Sequence, residues 1–238
     1  METELIFHNN SYARSCEATV NRLTPSGIEL DRTVFYAEGG GQRGDQGILR
    51  TTSGTEITIE DTIKSEAHDS VIHVPAASEG NLALAAGETV TGEIDWSLRY
   101  ARMRMHTCLH LLSAVLPYPV TGGSVGDGKG RLDFDIPETI RDKEWISSEL
   151  NRLIQEDRQV NSEWISDEDL TANPNLVKTM MVKPPVGVGK IRLIRIEGLD
   201  LQPCGGTHVA RTGEIGTIVI AKIQKKGRQN RRVSLVFA

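Results

Sequence analysis

Two short segments of the sequence hold side chains that can bind a metal ion together. In the first, His106 and His110 are four residues apart, so on a helix they lie about 40° apart on one face. In the second, Cys204 and His208 flank a Gly-Gly pair, whose conformational freedom lets a loop fold both side chains toward one ion. A thiolate with three imidazoles is a ligand set that zinc prefers.

Each pair alone is a weak signal, because two histidines on a helix are more often structural than metal-binding. The joint pattern is more specific, since three of the six histidines and one of the three cysteines fall in these two pairs. Cys108 lies about 200° around the helix from His106, which predicts a position in the core. The other histidines, His8, His68 and His73, have no predicted role.

Positive charge is concentrated in the carboxy-terminal part of the chain. Residues 1–91 carry 6 Lys and Arg against 14 Asp and Glu, a net charge of −8, whereas residues 92–238 carry 21 against 18, a net charge of +3. Clusters of cations are candidates for contacts with a phosphate backbone, although they are also common on solvated strands and loops. The densest run contributes Lys222, Lys225, Lys226, Arg228, Arg231 and Arg232. A second group contains Arg99, Arg102 and Arg104.

The elements that must position these residues fall into two parts, with a predicted boundary between residues 91 and 92. The first part consists of short stretches rich in Thr, Val and Ile separated by turn residues, which predicts a small β-barrel or sandwich. Its predicted strands are residues 16–23, 27–30, 33–36, 56–62, 70–73 and 89–94. A segment with five glycines in nine residues, 39–47, interrupts them and predicts a wide turn.

The second part mixes helices and strands, which predicts an α+β domain with a sheet covered by helices. Apolar residues at intervals of three and four predict helices over residues 95–116 and 138–158, the second opening after Pro137 with Trp145 on its apolar stripe. A short helix is expected around residues 166–172. The predicted strands are residues 189–196, 216–223 and 232–237.

The composition excludes several classes of protein. Hydrophobic residues at 38 % and charged residues at 25 % are typical of a folded globular chain. No apolar run reaches the roughly 18 residues that a membrane-spanning helix requires, and the first residues lack the pattern of a signal peptide. With only three cysteines a disulfide framework is not expected. We therefore expect a cytoplasmic protein.

Three motifs together resemble a known family. The glycine-rich run with Gln42, the histidine pair His106 and His110, and the segment from Cys204 to His208 closely resemble the editing region of alanyl-tRNA synthetase and its free-standing relatives, the AlaX editing proteins. The resemblance covers nearly the whole chain. Because the sequence holds neither a catalytic synthetase region nor a long carboxy-terminal extension, we expect the medium-sized free-standing form.

The resemblance implies a fold and a set of site residues. The fold would be a small amino-terminal β-barrel followed by an editing domain of the threonyl/alanyl-tRNA synthetase second-additional-domain type. The zinc ligands would be His106, His110, Cys204 and His208. Substrate contacts would come from Thr121, Leu109, Gly39, Gly40, Gly41 and Gln42. The chain departs from the family at Ala37, where a proline often stands, and at Cys108 and Leu109, where synthetases have small or hydroxyl residues.

The resemblance also implies an activity, the hydrolysis of seryl and to some extent glycyl esters on alanine-specific tRNA. The general base would be a metal-bound hydroxide or a hydroxyl of the terminal ribose of the tRNA. Two alternatives stay open: the same chemistry on seryl-tRNA for threonine, or a tRNA-binding module with a structural zinc. Because glycines precede His208, we expect this ligand to be held more loosely than the helix pair.

Overall fold

The computed structural model describes residues 3–66, 70–79, 84–137, 140–173, 176–177 and 190–238. The chain forms two compact units, Met1–Tyr100 and Ala101–Ala238. The boundary predicted between residues 91 and 92 falls inside a strand, Thr89–Ile94, that is paired on both sides within the first unit. The first unit therefore extends past that strand. Within the described residues, no helix combines the length and the hydropathy that crossing a bilayer would require.

The amino-terminal unit is a closed six-stranded barrel with the strand order β2-β3-β7-β6-β5-β8. Its elements are β1 (Glu4–Leu5), α1 (Ile6–Asn9), β2 (Ser15–Thr24), β3 (Gly27–Leu30), β4 (Arg32–Thr33), β5 (Gly47–Thr51), β6 (Glu56–Lys64), β7 (Val71–Pro75) and β8 (Thr89–Ile94). Alternation of side chains builds the barrel core: in β6, Ile57 and Ile59 are buried while Glu56 and Thr58 are exposed. The predicted barrel is confirmed.

The strand predicted over residues 33–36 is wrong beyond Thr33. The residues from Val34 to Ala37 are buried, so their apolar character reflects burial in a loop rather than pairing in a sheet. Side chains bind the backbone there: the amide of Phe35 donates to Oγ1 of Thr33 (3.0 Å), and that of Tyr36 donates to Oδ2 of Asp45 (2.8 Å).

The glycine-rich segment contains a tight turn, not the wide turn that was predicted. The amide of Gly39 donates to the carbonyl of Gln42 (3.1 Å), and the amide of Gln42 donates back to the carbonyl of Gly39 (2.9 Å). Between them Gly40 and Gly41 have φ values of 58° and 82°. Two consecutive positive φ angles are those of a type I′ turn, which explains two glycines at these positions.

The carboxy-terminal unit begins within a long helix, and its described residues form two antiparallel sheets. Its elements are α2 (Trp96–Val115), β9 (Val120–Val125), β10 (Lys129–Asp135), α3 (Lys143–Gln155), β11 (Val160–Ile165), α4 (Asp167–Ala172), β12 (Ile191–Ile196), β13 (Asp200–Pro203), β14 (Ile218–Lys225) and β15 (Asn230–Phe237). One sheet has the order β14-β15-β10-β9 and the other β11-β12-β13. With the barrel, this confirms the predicted α+β class.

Helix α2 packs tightly against the four-stranded sheet. It begins where Oδ1 of Asp95 accepts a hydrogen bond from the amide of Leu98 (3.1 Å), and it ends before Pro117. A Cβ atom at Gly130 of β10 would lie 2.7 Å from Sδ of Met105 and 3.3 Å from a methyl carbon of Leu109. Only glycine allows the strand to approach the helix this closely.

Helix α3 starts later than predicted. Asp142 caps its amino terminus, accepting from the amide of Trp145 (2.7 Å), and residues 138 and 139, where the predicted helix opens, lie outside the described part of the chain. Trp145 is 42 % exposed, whereas its neighbour Ile146 is fully buried. The apolar stripe therefore runs through Ile146, and the prediction for Trp145 is wrong.

Helix α3 also binds the edge of β14 through side chains. The side-chain amide of Asn151 donates to the backbone carbonyl of Ile218 (2.8 Å). Oδ1 of Asn151 accepts a hydrogen bond from the backbone amide of Ile218 (3.0 Å). Ser147 accepts from the amide of Ile220 (2.9 Å). These contacts satisfy backbone groups that a sheet edge would otherwise expose.

Candidate metal centre

The two predicted pairs of ligand residues come together in the carboxy-terminal unit. His106 and His110 lie one turn apart on α2, and Cys204 and His208 lie in the loop that follows β13. The potential ligand atoms of these four residues all lie within 4.8 Å of one another. The three histidines are buried and Cys204 is partly exposed.

The spacing of the donor atoms fits a tetrahedral zinc ion. Sγ of Cys204 lies 3.5 Å from Nε2 of His106 and 3.3 Å from Nε2 of His208. Zinc bound to nitrogen at about 2.0–2.1 Å and to sulfur at about 2.3 Å would place these atoms roughly 3.5 Å apart. The chemistry of the four side chains and these two distances therefore suit a zinc ion.

Backbone pairing and a buried arginine position the ligand loop. The amide of Cys204 donates to the carbonyl of Arg192 on β12 (3.0 Å), so the loop leaves the sheet at a defined register. Nη1 of Arg192 donates to the carbonyls of Cys204 (3.0 Å) and Gly206 (2.8 Å). This cation holds the backbone of the Gly-Gly turn against β12.

Polar side chains surround the histidines on the far side of the cluster. Nδ1 of His110 lies 3.1 Å from Oδ2 of Asp200, and the amide of Gln202 donates to the same oxygen (2.8 Å). Nδ1 of His208 lies 3.1 Å from Oγ1 of Thr107. Contacts of this kind fix the orientation and the protonated nitrogen of a ligand histidine. In His208 the other nitrogen, Nε2, is the one directed toward Cys204.

The surroundings of Cys204 and His208 favour the deprotonated forms in which these side chains bind a metal. Burial alone would raise the pKa of the Cys204 thiol, but the charges of His106 and His208 bring this pKa well below its ordinary value. Burial and the charge of His106 lower the pKa of His208 well below its ordinary value. Burial lowers the pKa of His110 too, but hydrogen bonds to Asp200 and Cys204 outweigh it and raise this pKa to about 9. A metal would therefore displace a proton from His110.

The neighbours of the ligands on α2 have structural positions. Cys108 is fully buried, as its helical angle predicted, and burial raises the pKa of its thiol to about 12. Leu109, a predicted pocket residue, is buried with its methyl group at β10 beside Gly130. A role of Leu109 toward a substrate stays a prediction.

Thr121, the predicted contact for a seryl hydroxyl, lies in β9. Its hydroxyl donates to the carbonyl of Asp133 (3.1 Å) and accepts from the amide of Asn230 (2.8 Å). The described hydrogen bonds therefore link Thr121 to the sheet rather than to the ligand cluster. The predicted glycine loop, with Gly39, Gly40, Gly41 and Gln42, belongs to the other unit, where its turn is formed internally.

The predicted basic run occupies the hairpin of β14 and β15, and its six cations differ. Lys222, Lys225, Lys226 and Arg228 are exposed. Arg232 forms a two-pronged ion pair with Asp133 (2.7 and 2.8 Å), and Arg231 donates to carbonyls of the hairpin loop. The exposed four are therefore better placed for phosphate contacts than Arg231 and Arg232.

The second basic group has structural partners instead. Arg99 is fully buried and donates to Asp45 (2.8 Å) and to the carbonyl of Val34 (2.6 Å). Arg102 is also buried and pairs with Asp127 (2.7 Å). Arg104 donates to the carbonyl of Ile215 (2.9 Å). The interpretation of these three arginines as a phosphate-binding group is therefore wrong.

Some polar residues around the cluster were not found from the sequence. Thr107, Arg192, Asp200 and Gln202 all bind a ligand residue or its loop, yet the sequence predicts a role for none of them. One signal was present: Asp200 and Gln202 alternate on a short strand directly before Cys204, so they share one face. His73 is buried in the barrel, His8 lies in α1, and His68 lies outside the described residues.

Comparisons with known proteins agree with this architecture. Residues 191–234 match the family described as the threonyl and alanyl tRNA synthetase second additional domain, and residues 3–98 match class II (A) tRNA synthetases. The chain is 35 % identical to the alanyl-tRNA editing protein AlaX-M of Methanosarcina acetivorans, with 97 % of each chain covered.

Two further relatives extend the comparison. The AlaX-M protein of Saccharolobus solfataricus is 33 % identical, again with 97 % of each chain covered. An alanine--tRNA ligase of Saccharolobus islandicus is 33 % identical over 94 % of this chain, which corresponds to 25 % of the ligase. With such identity over nearly its whole length, the chain belongs to the AlaX-M family of alanyl-tRNA editing proteins.

Proposed function

We propose that this protein is a zinc-dependent hydrolase that removes wrongly attached serine, and to some extent glycine, from alanine-specific tRNA. The observation that carries the proposal is the convergence of His106, His110, Cys204 and His208 within 4.8 Å in a chain of the alanyl-tRNA editing family. One thiolate and three imidazoles provide the donors that zinc prefers. The protein would act in the cytoplasm on tRNA already charged by another enzyme.

The chain's own residues define what the site does. A bound zinc would supply Lewis acidity, to polarise an ester carbonyl or to lower the pKa of a water molecule to about 7. His106, His110, Cys204 and His208 would hold the ion, while Asp200 and Thr107 orient two of the rings. Cys204 is the one residue of these four that is partly exposed, so we propose that a substrate approaches past this residue.

Discrimination against alanine requires a polar group that is left unpaired when the seryl hydroxyl is missing. Such a sieve is stronger than one based on volume, which yields only about 1–3 kcal/mol per methylene. Thr121 is our candidate for this group. The hydroxyl of Thr121 donates its proton to the backbone carbonyl of Asp133 and accepts a hydrogen bond from the side-chain amide of Asn230. A hydroxyl oxygen has two lone pairs, so the second one can accept a hydrogen bond from a seryl hydroxyl.

The tRNA itself would be bound by the exposed hairpin cations. Lys222, Lys225, Lys226 and Arg228 project from one end of the β14–β15 hairpin without a carboxylate within their own segment. Phosphate contacts of this kind supply affinity that is independent of sequence. On the family resemblance alone, Gly39, Gly40, Gly41 and Gln42 of the barrel remain proposed substrate contacts.

The test measures metal and hydrolysis in the same preparations. Zinc content of the purified protein is determined by elemental analysis, and deacylation is followed on Ser-, Gly- and Ala-tRNA for alanine and on Ser-tRNA for threonine. We expect about one zinc per chain and hydrolysis of Ser-tRNA for alanine, with Ala-tRNA left intact. Cys204→Ser is expected to lose both zinc and activity, while Cys108→Ala keeps both.

Other results would favour the alternatives. Hydrolysis confined to seryl-tRNA for threonine would assign the same chemistry to another tRNA. Binding of tRNA in a gel shift with bound zinc and no hydrolysis would indicate a binding module with a structural metal. A protein without any transition metal would contradict the proposed chemistry itself.

A further inference from the structure

We infer that Thr107 is a positioning residue that attaches the ligand loop to helix α2 and fixes the tautomer of His208. Its Oγ1 lies 3.1 Å from Nδ1 of His208 and 3.3 Å from the amide nitrogen of Val209. Thr107 follows His106 directly, so one side chain connects the helix pair of ligands to the loop pair. The inference rests on the proposed function only in taking the cluster as a metal site.

The hydrogen bonds of the Thr107 hydroxyl indicate which ring nitrogen of His208 carries the proton. A threonine hydroxyl has one proton, and that of Thr107 is donated to the carbonyl of Met103, 3.0 Å away on the preceding helical turn. The hydroxyl must then act as acceptor toward its other two neighbours. The amide of Val209 can only donate, and Nδ1 of His208 must carry a hydrogen to donate as well.

The consequence for His208 is that Nε2 carries the lone pair with which a metal would be bound. A neutral imidazole has one N–H, and with the proton on Nδ1 the other nitrogen is the acceptor. This other nitrogen, Nε2, is the atom that lies 3.3 Å from Sγ of Cys204. Thr107 therefore prepares His208 to bind a metal before any metal arrives.

This arrangement changes the expectation that glycines make His208 a loose ligand. His208 is only 5 % exposed, compared with 7 % for His106 and 6 % for His110. Its ring is held by Thr107 on one side, while Arg192 holds the carbonyl of Gly206 on the other. The loop is thus anchored at both ends of the turn, and His208 is expected to be as firm a ligand as the helix pair.

The variant test compares the hydroxyl with a methyl group of the same size. Thr107→Val removes the acceptor, and Thr107→Ser keeps it. Zinc affinity is measured by competition with a chelator, and the geometry of the site by the visible spectrum of the cobalt-substituted protein. We expect Thr107→Val to bind zinc about 10–100-fold more weakly, as is typical when a partner of a ligand histidine is lost, and Thr107→Ser to remain close to the unmodified protein.

A matched control separates positioning from general destabilisation. Thr212 is also fully buried, and its hydroxyl accepts from the amide of Arg158 (2.9 Å) and lies 3.3 Å from the carbonyls of Leu153 and Ile154. Thr212→Val loses similar hydrogen bonds away from the ligands, so it is expected to lower thermal stability but not zinc affinity. Equal zinc affinity in Thr107→Val and Thr107→Ser would overturn the inference.

A measurement on the unsubstituted protein decides the tautomer even if Thr107→Val fails to fold. In metal-free protein labelled with ¹⁵N-histidine, long-range proton–nitrogen correlations distinguish the two neutral tautomers. We expect His208 to carry its proton on Nδ1. A proton on Nε2 would overturn the inference. If the unsubstituted protein binds no zinc at all, the proposed function fails, while this spectrum still decides the role of Thr107.

Discussion

The carboxylate of Asp200 lies 3.1 Å from Nδ1 of His110, although 90 residues separate them in the chain. Both side chains are buried, and Gln202 donates to the same carboxylate oxygen. A carboxylate in this position orients the ring of a ligand histidine and increases its basicity. Cys204 and three histidines would hold an ion, and Asp200 adds a carboxylate that binds one of these histidines.

Replacing Asp200 by Asn is expected to weaken zinc binding by about 10–100-fold, because the amide no longer enforces the tautomer with Nε2 free. The measurement is chelator competition at constant pH. Asp45→Asn serves as control, since Asp45 is a buried partner of Arg99 in the amino-terminal unit. It is expected to lower stability without changing zinc affinity, and an equal loss of affinity in both variants would contradict the prediction.

The two cysteines of the carboxy-terminal unit are expected to differ in reactivity. In metal-free protein at neutral pH, iodoacetamide should modify Cys204, whose pKa is lowered, well before Cys108, whose pKa is raised to about 12 by burial. Added zinc should protect Cys204. Peptide mass spectrometry gives the two rates separately. Faster modification of Cys108, or no protection by zinc, would contradict the assignment of Cys204 as a ligand.

Replacing Lys225, Lys226 and Arg228 together by Ala is expected to weaken tRNA binding and to reduce its dependence on salt. Loss of three phosphate contacts should reduce the log–log slope by roughly 2–3. Hydrolysis of a minimal aminoacyl ester should change little, because the substitutions leave the ligand cluster intact.

A control for the hairpin replaces three arginines that are paired with carboxylates. Arg50, Arg152 and Arg195 pair with Glu56, Glu149 and Glu163. Their replacement by Ala removes the same formal charge, so an equal change of slope would show that total charge, not the hairpin, determines the salt dependence.

Because His73 is buried, the stability of the protein is expected to depend on pH. Nδ1 donates to the carbonyl of Ile28 (3.0 Å) and Nε2 accepts from the hydroxyl of Thr33 (2.8 Å), and burial lowers the pKa from 6.5 to about 4. Between about pH 4 and 6.5, this histidine is therefore protonated in the unfolded chain but neutral in the folded protein. The free energy of unfolding should therefore fall as the pH decreases from about 6.5 to 4, by at most about 1.4 kcal/mol per pH unit.

Denaturant unfolding across this pH range checks the contribution of His73. His73→Gln keeps polar groups in the barrel but does not titrate, so its stability should depend less on pH. His8→Gln, a change in the helix α1, is expected to keep the slope of the unmodified protein. The same slope in His73→Gln would assign the acid sensitivity to other groups.

The sequence predicted each of the two pairs in the cluster because the determinants within a pair are local. Helical geometry alone places His106 beside His110, and a short loop cannot separate Cys204 far from His208. The partners of these ligands could not be predicted in the same way. Asp200 meets His110 only because β13 is paired with β12 and faces α2, which is a result of tertiary structure.

The errors in predicting strands and helices have a similar origin. Strand β8 and the short helix α4 were predicted well, since alternation and the cap at Ser166 are local signals. The apolar residues after Thr33 resemble a strand, but a buried carboxylate and a threonine hydroxyl bind their backbone instead. Likewise, the two prolines after α2 signal its end. In α3, the predicted stripe residues Leu150, Leu153 and Ile154 are buried, and only Trp145 was assigned to this face wrongly, since Ile146 continues the spacing of four.

The hydrogen bonds from Asn151 and Ser147 to β14 bear on how copies of this protein behave at high concentration. An open strand edge is a template on which another chain can add a strand and begin to aggregate. At β14 the amide and carbonyl of Ile218 are already occupied by one asparagine side chain, which imitates a neighbouring strand. Recruitment of a second molecule at these residues would first require α3 to detach, so two polar side chains of a helix protect this edge of the sheet.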